Sequence, residues 1–380
     1  MNWPLISLNQ ICNTQYGYTA SADDFEVGPK YLRITDIASG PINWESVPYC
    51  KISESDYPKY KLNTGDIVIA RTGNTTGYAK LIRNNNNAVF ASYLVRIKIK
   101  SDLADSNYIG RLIESNIYKN FVRSIKGGAA QGNANATTLT LFKFCLPPIE
   151  VQRIITSVLS VYDDLIDTNR RRIQLLEESA RLLFREWFVY FHFPGHEKAK
   201  IVDGVPAGWA KGLLEDSAIV KKGRNITFEH AVEGDIPVVG GGLEPTYYHN
   251  KANVFAPVIT ISASGANAGY VNMYDTDIWA SDCSYIDKNS TKYIYSLYLR
   301  LKSLQTTILG FQVGVAQPHV YPRDLNRLKL LMAPDDLCMQ FEQLVIPIFN
   351  LIKNLKLENQ KLAQARDLLL PRLMNGTIEV

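Results

Sequence analysis

The residues best suited to chemistry lie in short loops of small and polar residues. Arg71-Thr72-Gly73-Asn74-Thr75-Thr76-Gly77 is one, and Ser262-Ala263-Ser264-Gly265-Ala266-Asn267-Ala268 is another. Gln131-Gly132-Asn133-Ala134-Asn135 and Gln317-Pro318-His319 form a second pair. Such side chains suit base edges: arginine fits guanine, and asparagine or glutamine fits adenine. Basic residues such as Arg33, Arg71, Lys126, Lys221, Lys222 and Arg224 suit phosphates, and each would otherwise be a solvated surface charge. The candidate contacts to a duplex are therefore Arg33, Arg71, Thr72, Asn74, Thr75, Lys126, Gln131, Asn133, Lys221, Lys222, Arg224, Ser264, Asn267, Gln317 and His319.

Other chemistries find no support in the spacing. Neither Gly73-x-x-x-Gly77 nor Gly265-x-x-x-Gly269 fits a phosphate-cradling G-x-x-x-x-G-K-[ST] or G-x-G-x-x-G pattern. Gly240-Gly241-Gly242 leads into no convincing helix. The one Pro-Pro pair, Leu146-Pro147-Pro148-Ile149, lacks the amide and aromatic of an adenine-methylating N/D-P-P-Y/F motif. His192-x-x-x-His196 has a spacing that a metal accepts, but no third ligand is evident. Asp335 and Asp336 suit a helix N-terminus better than a nuclease site. Five cysteines, without a C-x-x-C, read as reduced thiols and neither a disulfide framework nor zinc. The expectation is a chain with no catalytic site, metal or cofactor of its own.

The elements that position these loops come from an internal repeat. The 380 residues allow about two domains. Trp3, Leu8 and Gly17 match Trp209, Leu214 and Gly223 at an offset of 206. Ile67-Val68-Ile69 with Gly73 and Gly77-Tyr78 returns 192 residues later as Ile259-Thr260-Ile261 with Gly265 and Gly269-Tyr270. Ser92-Tyr93-Leu94 matches Ser284-Tyr285-Ile286 at that same offset, and Gly128-x-Ala130-Gln131 matches Gly314-x-Ala316-Gln317 at 186. The order is collinear, as duplication requires. Period-2 runs at 66–70, 93–97 and 258–261 predict strands, and 107–125 and 292–309 each predict a helix. Each domain is expected to be α+β, a curved sheet with helices.

A connector follows each domain. The expected division is 1–146, a first domain; 147–200, a central helix and linker; 201–333, a second domain; and 334–380, a C-terminal helix. Ile155, Val158, Tyr162, Leu165, Asn169, Leu176 and Leu183 mark a seam in the first connector. Phe341, Ile348, Leu355, Leu362 and Leu369 recur every seven residues in the second, with Leu344, Leu351 and Ala365 sharing the seam and Pro371 and later Asn375-Gly376 closing it. Helices this long outrun any single domain, so the two are expected to pair as an antiparallel coiled coil, relating the halves by a pseudo-twofold axis. Lysines and arginines number 41 against 37 acids, a net +4, and Asp163, Asp164, Asp167, Glu177 and Glu178 of the first connector dilute the basic charge. No basic leader and no apolar run of about 18 residues occurs, so the expected location is the cytoplasm, away from membrane.

These features resemble the specificity subunits of type I restriction–modification systems (HsdS-type). The likeness rests on Leu146-Pro147-Pro148-Ile149-Glu150-Val151-Gln152-Arg153-Ile154-Ile155, on Ile166-Asp167-x-Asn169, and on Ala180-Arg181-x-Leu183-Phe184-x-x-Trp187-Phe188. Gly65-Asp66-Ile67-Val68-Ile69-Ala70-Arg71-x-Gly73 and the ending Leu368-Leu369-Leu370-Pro371-Arg372-Leu373-Met374-x-Gly376 are also similar to that family. The resemblance implies two target-recognition domains that each read half of a split double-stranded DNA site. It implies that the helices act as a ruler and dock two methyltransferase subunits, with restriction/translocase subunits as further partners. S-adenosylmethionine would then sit on the methyltransferase. Alternatives left open are a related methyltransferase–nuclease system without a separate restriction subunit and a self-contained DNA-modifying enzyme. The second repeat departs from the first by placing Gln340 two residues further from its proline than Gln152, and by having Gln317-Pro318-His319 in place of Gln131-Gly132-Asn133. Two unlike half-sites, hence an asymmetric target, are expected.

Overall fold

The computed structural model describes residues 3–38, 40–84, 87–126, 134–314 and 317–378, with the side chain of Lys126 excepted. It divides into two compact units, Met1–Ile166 with Gln360–Val380, and Asp167–Asn359. Each unit contains one α+β domain and one part of each long helix.

The first unit is built on a four-stranded antiparallel sheet in the order Cys12–Tyr16, Leu94–Ile99, Ile67–Ala70, Ala79–Leu81. The second has the same order: Lys221–Lys222, Cys283–Asp287, Val258–Ser262, Val271–Tyr274. The central strands Ile67–Ala70 and Val258–Ser262 are buried at every position, which their continuous β-branched character requires. The matched glycines have a packing reason. A Cβ on Gly17 would lie 2.1 Å from the Ala91 carbonyl oxygen, and one on Gly223 would lie 2.3 Å from that of Ser281.

The strand registers correct one repeat block. Ala70 pairs with Leu94, and its counterpart Ser262 pairs with Cys283. Leu94 therefore matches Cys283, and Tyr93 matches Asp282 instead of Tyr285. The second repeat is one residue shorter between Ser281 and this strand, so the three-residue likeness at 92–94 is a coincidence of composition.

Two predicted helices are each divided. Ser106–Glu114 and Asn116–Lys126 replace a single element, with Ser115 extended between them and its hydroxyl donating to the Leu112 carbonyl. Ile294–Ser303 and Gln305–Leu309 divide at Leu304, a gentler break whose amide still donates back into the first helix. In both repeats the break turns a second helical face onto the sheet, burying Tyr118 and Val122 in one and Ile308 in the other.

The long helices run Ile149–Phe188 and Asp335–Met374, 40 residues each, or about 60 Å. They pack together as segments of opposite direction within each unit. In the first unit Ile155 and Leu159 join Leu369, Leu373 and Met374 in one core with the sheet residues Ile67 and Val95. In the second, Ala180, Phe184 and Phe188 join Phe341, Val345 and Ile352 with Ile259 and Ile286. Fully burying each such side chain contributes about 1.5–3 kcal/mol, so the helix segments are part of the domain cores.

The seam is partly displaced from its expected course. Ile155, Asn169, Phe341 and Leu355 are buried, and Tyr162, Leu176, Leu183, Ile348, Leu362 and Leu369 are half-buried along it. Val158, Leu165, Leu344 and Leu351 face outward, and Leu159, Ile166, Val345 and Ile352 take the places expected of them. Where apolar residues stand at both i+3 and i+4, spacing alone does not choose between them. The second helix also continues through Pro371 to Met374, with Gly376 just beyond it at φ +72°.

Buried polar groups anchor each sheet to its helix segments. In the first unit Asp163 is buried and accepts from Arg366 at 2.7 Å, from Arg83 at 3.2 Å and from Arg111. Burial by itself would push the Asp163 carboxyl up, but Arg366, Arg111 and Arg83 outweigh it and hold it below the ordinary value. In the second unit Asp275 meets Lys356 at 3.5 Å, beside Glu177. Burial outweighs Lys356 here, and both carboxyls are raised.

Gln152 accepts from the Asp105 amide at 2.8 Å and donates to the Pro147 carbonyl at 2.8 Å. Its counterpart is Glu342, which accepts from the Tyr295 and Ser296 amides at 3.0 and 2.8 Å. Gln340, the match expected from the sequence, is exposed. No helix among the described residues is long and apolar enough to cross a membrane.

Candidate nucleic-acid interface

The two glycine-bounded loops have one backbone. Gly73 and Gly265 have φ +73° and +80°, and Gly77 and Gly269 have +90° and +87°. The Gly77 amide donates to the Ala70 carbonyl at 2.9 Å, as Gly269 does to Ser262 at 2.8 Å. The Tyr78 amide donates to Thr75 at 2.9 Å, and that of Tyr270 to Asn267 at 2.9 Å. The glycines are thus turn residues with φ reserved to glycine, which accounts for their spacing without a phosphate. On this shared frame the side chains differ: Arg71, Thr72, Asn74 and Thr75 stand where Ala263, Ser264, Ala266 and Asn267 stand in the other repeat.

The second loop of each pair is laced to the first. The Ala134 amide donates to the Arg71 carbonyl at 2.9 Å, and the Val320 amide donates to that of Ala263 at 3.0 Å. Gly265 also donates to Pro318 at 3.0 Å. Ser264, Asn267, Gln317 and His319 are thereby gathered in the second unit.

Arg71 is half-buried; its Nε donates to the Ser92 carbonyl at 3.0 Å, and its guanidinium lies 5.0 Å from the Tyr16 ring centre. Thr72 and Thr75 are half-buried beside it, and Asn74 is exposed. Arg33 is held by Asp36 at 3.0 Å, and so carries a locally balanced charge. Lys126 ends its helix, and Gln131 and Asn133 lie outside the described residues. Lys221 reaches Asp287 at 3.2 Å, while Lys222, Arg224 and Gln317 are exposed. Ser264 donates to Asp282, and His319 stacks on Tyr321, with ring centres 6.1 Å apart and planes 17° apart. Asn267 is half-exposed at the head of its turn.

The histidines of the linker are not brought to a metal site. His192 binds Glu186 at 2.8 Å, and among the described residues no group of three potential ligands assembles. Burial pushes the Cys12 and Cys50 thiols up to about 11 and Cys283 to about 12, which leaves them poor nucleophiles.

A statistical model of the type I restriction modification DNA specificity domain matches residues 1–178 and again 206–365. The chain belongs to this family. The specificity subunit of the type I restriction enzyme MjaIX of Methanocaldococcus jannaschii is 26% identical over 310 residues, 74% of this chain and 71% of that one. The HindI specificity subunit of Haemophilus influenzae is 21% identical over 92% of this chain and 95% of its own. Among solved structures, the S subunit from M. genitalium superposes with a TM-score of 0.56 at 17% identity, covering 98% of this chain and 96% of that chain, a likeness of fold.

Several residues of this specificity chain escaped the sequence reading. Tyr16 and Tyr93 are exposed aromatics flanking Arg71, whose amide donates to the Tyr93 carbonyl at 3.1 Å. Tyr321 and Arg323 extend the His319 stack, with the guanidinium 5.2 Å from the Tyr321 ring. One signal was present: Tyr16 directly precedes Gly17, a glycine that the two repeats share.

Proposed function

We propose that the chain is the DNA-reading subunit of a type I restriction–modification complex and does no chemistry itself. Each unit's loop cluster reads one half of a bipartite duplex target. The observation that carries this reading is one loop backbone built twice with unlike side chains. A shared backbone fits a shared duplex geometry, and unlike side chains fit unlike bases, so the target is asymmetric.

The long helices set the spacing and dock two methyltransferase subunits, which bind the S-adenosylmethionine. A restriction subunit joins that assembly for cleavage. In support, the helices keep a second apolar row outside their seam: Ile154, Val158, Val161 and Leu165 in the first unit, and Leu175, Leu182, Leu344 and Leu351 in the second. Rows at helical spacing, once exposed, suit another protein's surface.

The test is methylation mapping of host DNA with and without the gene. A bipartite adenine-methylated motif should vanish with the gene, and purified complex should bind it with a steep inverse salt dependence. Replacing Val158 and Leu165 by glutamate should abolish methyltransferase capture and leave the fold intact. Adding one heptad to each long helix, about 10 Å, should lengthen the unread spacer by about three base-pair steps. Methylation by the lone chain, or a motif unaffected by its loss, would overturn the reading.

A further inference from the structure

We propose that Arg71 reads a guanine in the half-site assigned to the first unit, and that the second unit has no equivalent reader. This rests on the DNA-reading function above. The side chain is fixed at every joint. Its amide donates to Tyr93 and its carbonyl accepts from Ala134, so the backbone is held from both sides. Nε donates to the Ser92 carbonyl at 3.0 Å, which sets the torsion of the guanidinium. The Tyr16 ring, centred 5.0 Å away, packs against the guanidinium, and the Tyr16 hydroxyl accepts from the Ala136 amide at 3.1 Å, fixing the ring in turn. What is left is the outer edge, Nη1 and Nη2, which have no hydrogen-bond partner among the described residues.

A planar fork of two parallel donors is the complement of guanine O6 and N7 in the major groove. Adenine offers a donor and an acceptor there, so two donors reject it. A phosphate also accepts such a fork, so the geometry of one side chain does not by itself separate base from backbone. The other repeat supports the distinction. Its backbone at this point is the same, but Ala263 replaces Arg71, Lys222 replaces Tyr16 and Asp282 replaces Tyr93. A backbone-gripping residue would serve both halves of a duplex equally, whereas this one is present in one half.

The experiment maps methylated motifs for the full chain co-produced with its methyltransferase, as parent, Arg71→Lys, Arg71→Gln and Tyr16→Leu. The lysine variant keeps the charge and loses the fork. It should lose roughly 5- to 150-fold of the discrimination at one G·C pair of one half-site. The other half-site and the spacer should be unchanged, and Tyr16→Leu should relax the same pair by a smaller factor. Two outcomes overturn the proposal while leaving the DNA-reading function standing. One is a uniform fall across all positions in the lysine variant, joined in the glutamine variant by a salt slope shallower by about one, which is a phosphate contact. The other is a parental half-site whose relaxed pair is A·T. A parent chain that yields no bipartite motif overturns both. Thermal melts of each variant separate misfolding from altered reading, and the lysine variant decides the matter if Arg71→Gln does not fold.

Discussion

At the edge of the first sheet the chain presents Arg83 to its helices, and at the matching position of the second sheet it presents Asp275. The registers are equivalent: Ile67 pairs with Leu81 and Ile259 with Met273, two residues before each. The signs are opposite. In the first unit the carboxylate belongs to a helix, and Arg83, Arg111 and Arg366 surround it. In the second the sheet supplies the carboxylate and a helix supplies Lys356. The fold requires this position to meet the helices and is indifferent to its charge. The sequence then matches each sheet to its own helix segments and mismatches it to the other's. A buried ion pair adds little net stability against an apolar pair, but it penalises wrong pairings severely. The first cluster, buried and three-armed, is suited to disfavour a wrong pairing; the second, with its half-exposed lysine, is suited to it far less.

The largest effect should follow from removing the shared carboxylate of the first unit. Asp163→Leu leaves Arg111, with a side chain only 9% exposed, and Arg366 facing one another. The expected cost is about 3–5 kcal/mol, read as a lower urea midpoint of the full chain. Lys356→Ala should cost about 1 kcal/mol at most, because Lys356 is half-exposed and its contact with Asp275 is long at 3.5 Å. Charge exchange sharpens the contrast. Asp275→Lys with Lys356→Asp should return to within about 1 kcal/mol of the parent. Asp163→Arg with Arg366→Asp should not, since Arg83 and Arg111 remain. Equal rescue in both units would show that the clusters do not differ as described.

A second contrast sits at the foot of each long helix. Gln152 needs one donor and one acceptor, for the Pro147 carbonyl and the Asp105 amide; Glu342 needs two acceptors, for two amides. Gln152→Glu should set a carboxylate oxygen against a carbonyl, and Glu342→Gln should set an amide NH2 against a backbone N–H. Each should cost about 1–3 kcal/mol, with hydrogen exchange rising first at 105–113 in one case and 294–301 in the other. A neutral outcome for either would mean that water substitutes there.

Much of this was legible before the structure, and the failures share a cause. Ile67-Val68-Ile69 and Ile259-Thr260-Ile261 read as strands from their spacing, and Gly17 and Gly223 as a repeated pair, while the carbonyls that crowd both glycines belong to the fold. Of the Phe341 row, Phe341 and Leu355 are buried, while Phe349 takes the core place beside the half-buried Ile348. The Leu344 row was wrong because Val345 and Ile352 are as apolar as Leu344 and Leu351, and only the domain against the helix decides between them. Tyr285 was matched to Tyr93, and Gln340 to Gln152, by letter likeness; one deletion and one helix phase, visible only in registers, make Asp282 and Glu342 the true counterparts. The loops announced themselves through Arg71, Gly73 and Gly77, but Tyr16, which packs against the guanidinium, arrives from a strand 55 residues upstream. Local chemistry is written locally, and its supports are not.

The smallest expected effect is a difference in how the two units respond to acid. The Asp163 carboxyl is held below the ordinary value, so the unfolded chain takes up its proton first as pH falls. Its contribution is fully present above the ordinary carboxylate value and is lost below it. Asp275, Glu177 and Glu342 are raised chiefly by burial. The folded state takes up these protons first, so mild acidification from neutrality stabilises the second unit through the same window in which the first holds constant. Hydrogen exchange of the full chain should show protection at Leu297–Leu301 growing as pH is lowered toward the carboxylate range, after correction for intrinsic rates. Protection at Tyr108–Ile113 should stay level and then fall. Lys356→Ala should steepen the first trend, because it removes the charge that opposes burial at Asp275 and Glu177. Parallel trends in the two segments would mean that the inverted polarity of the junctions carries no electrostatic consequence.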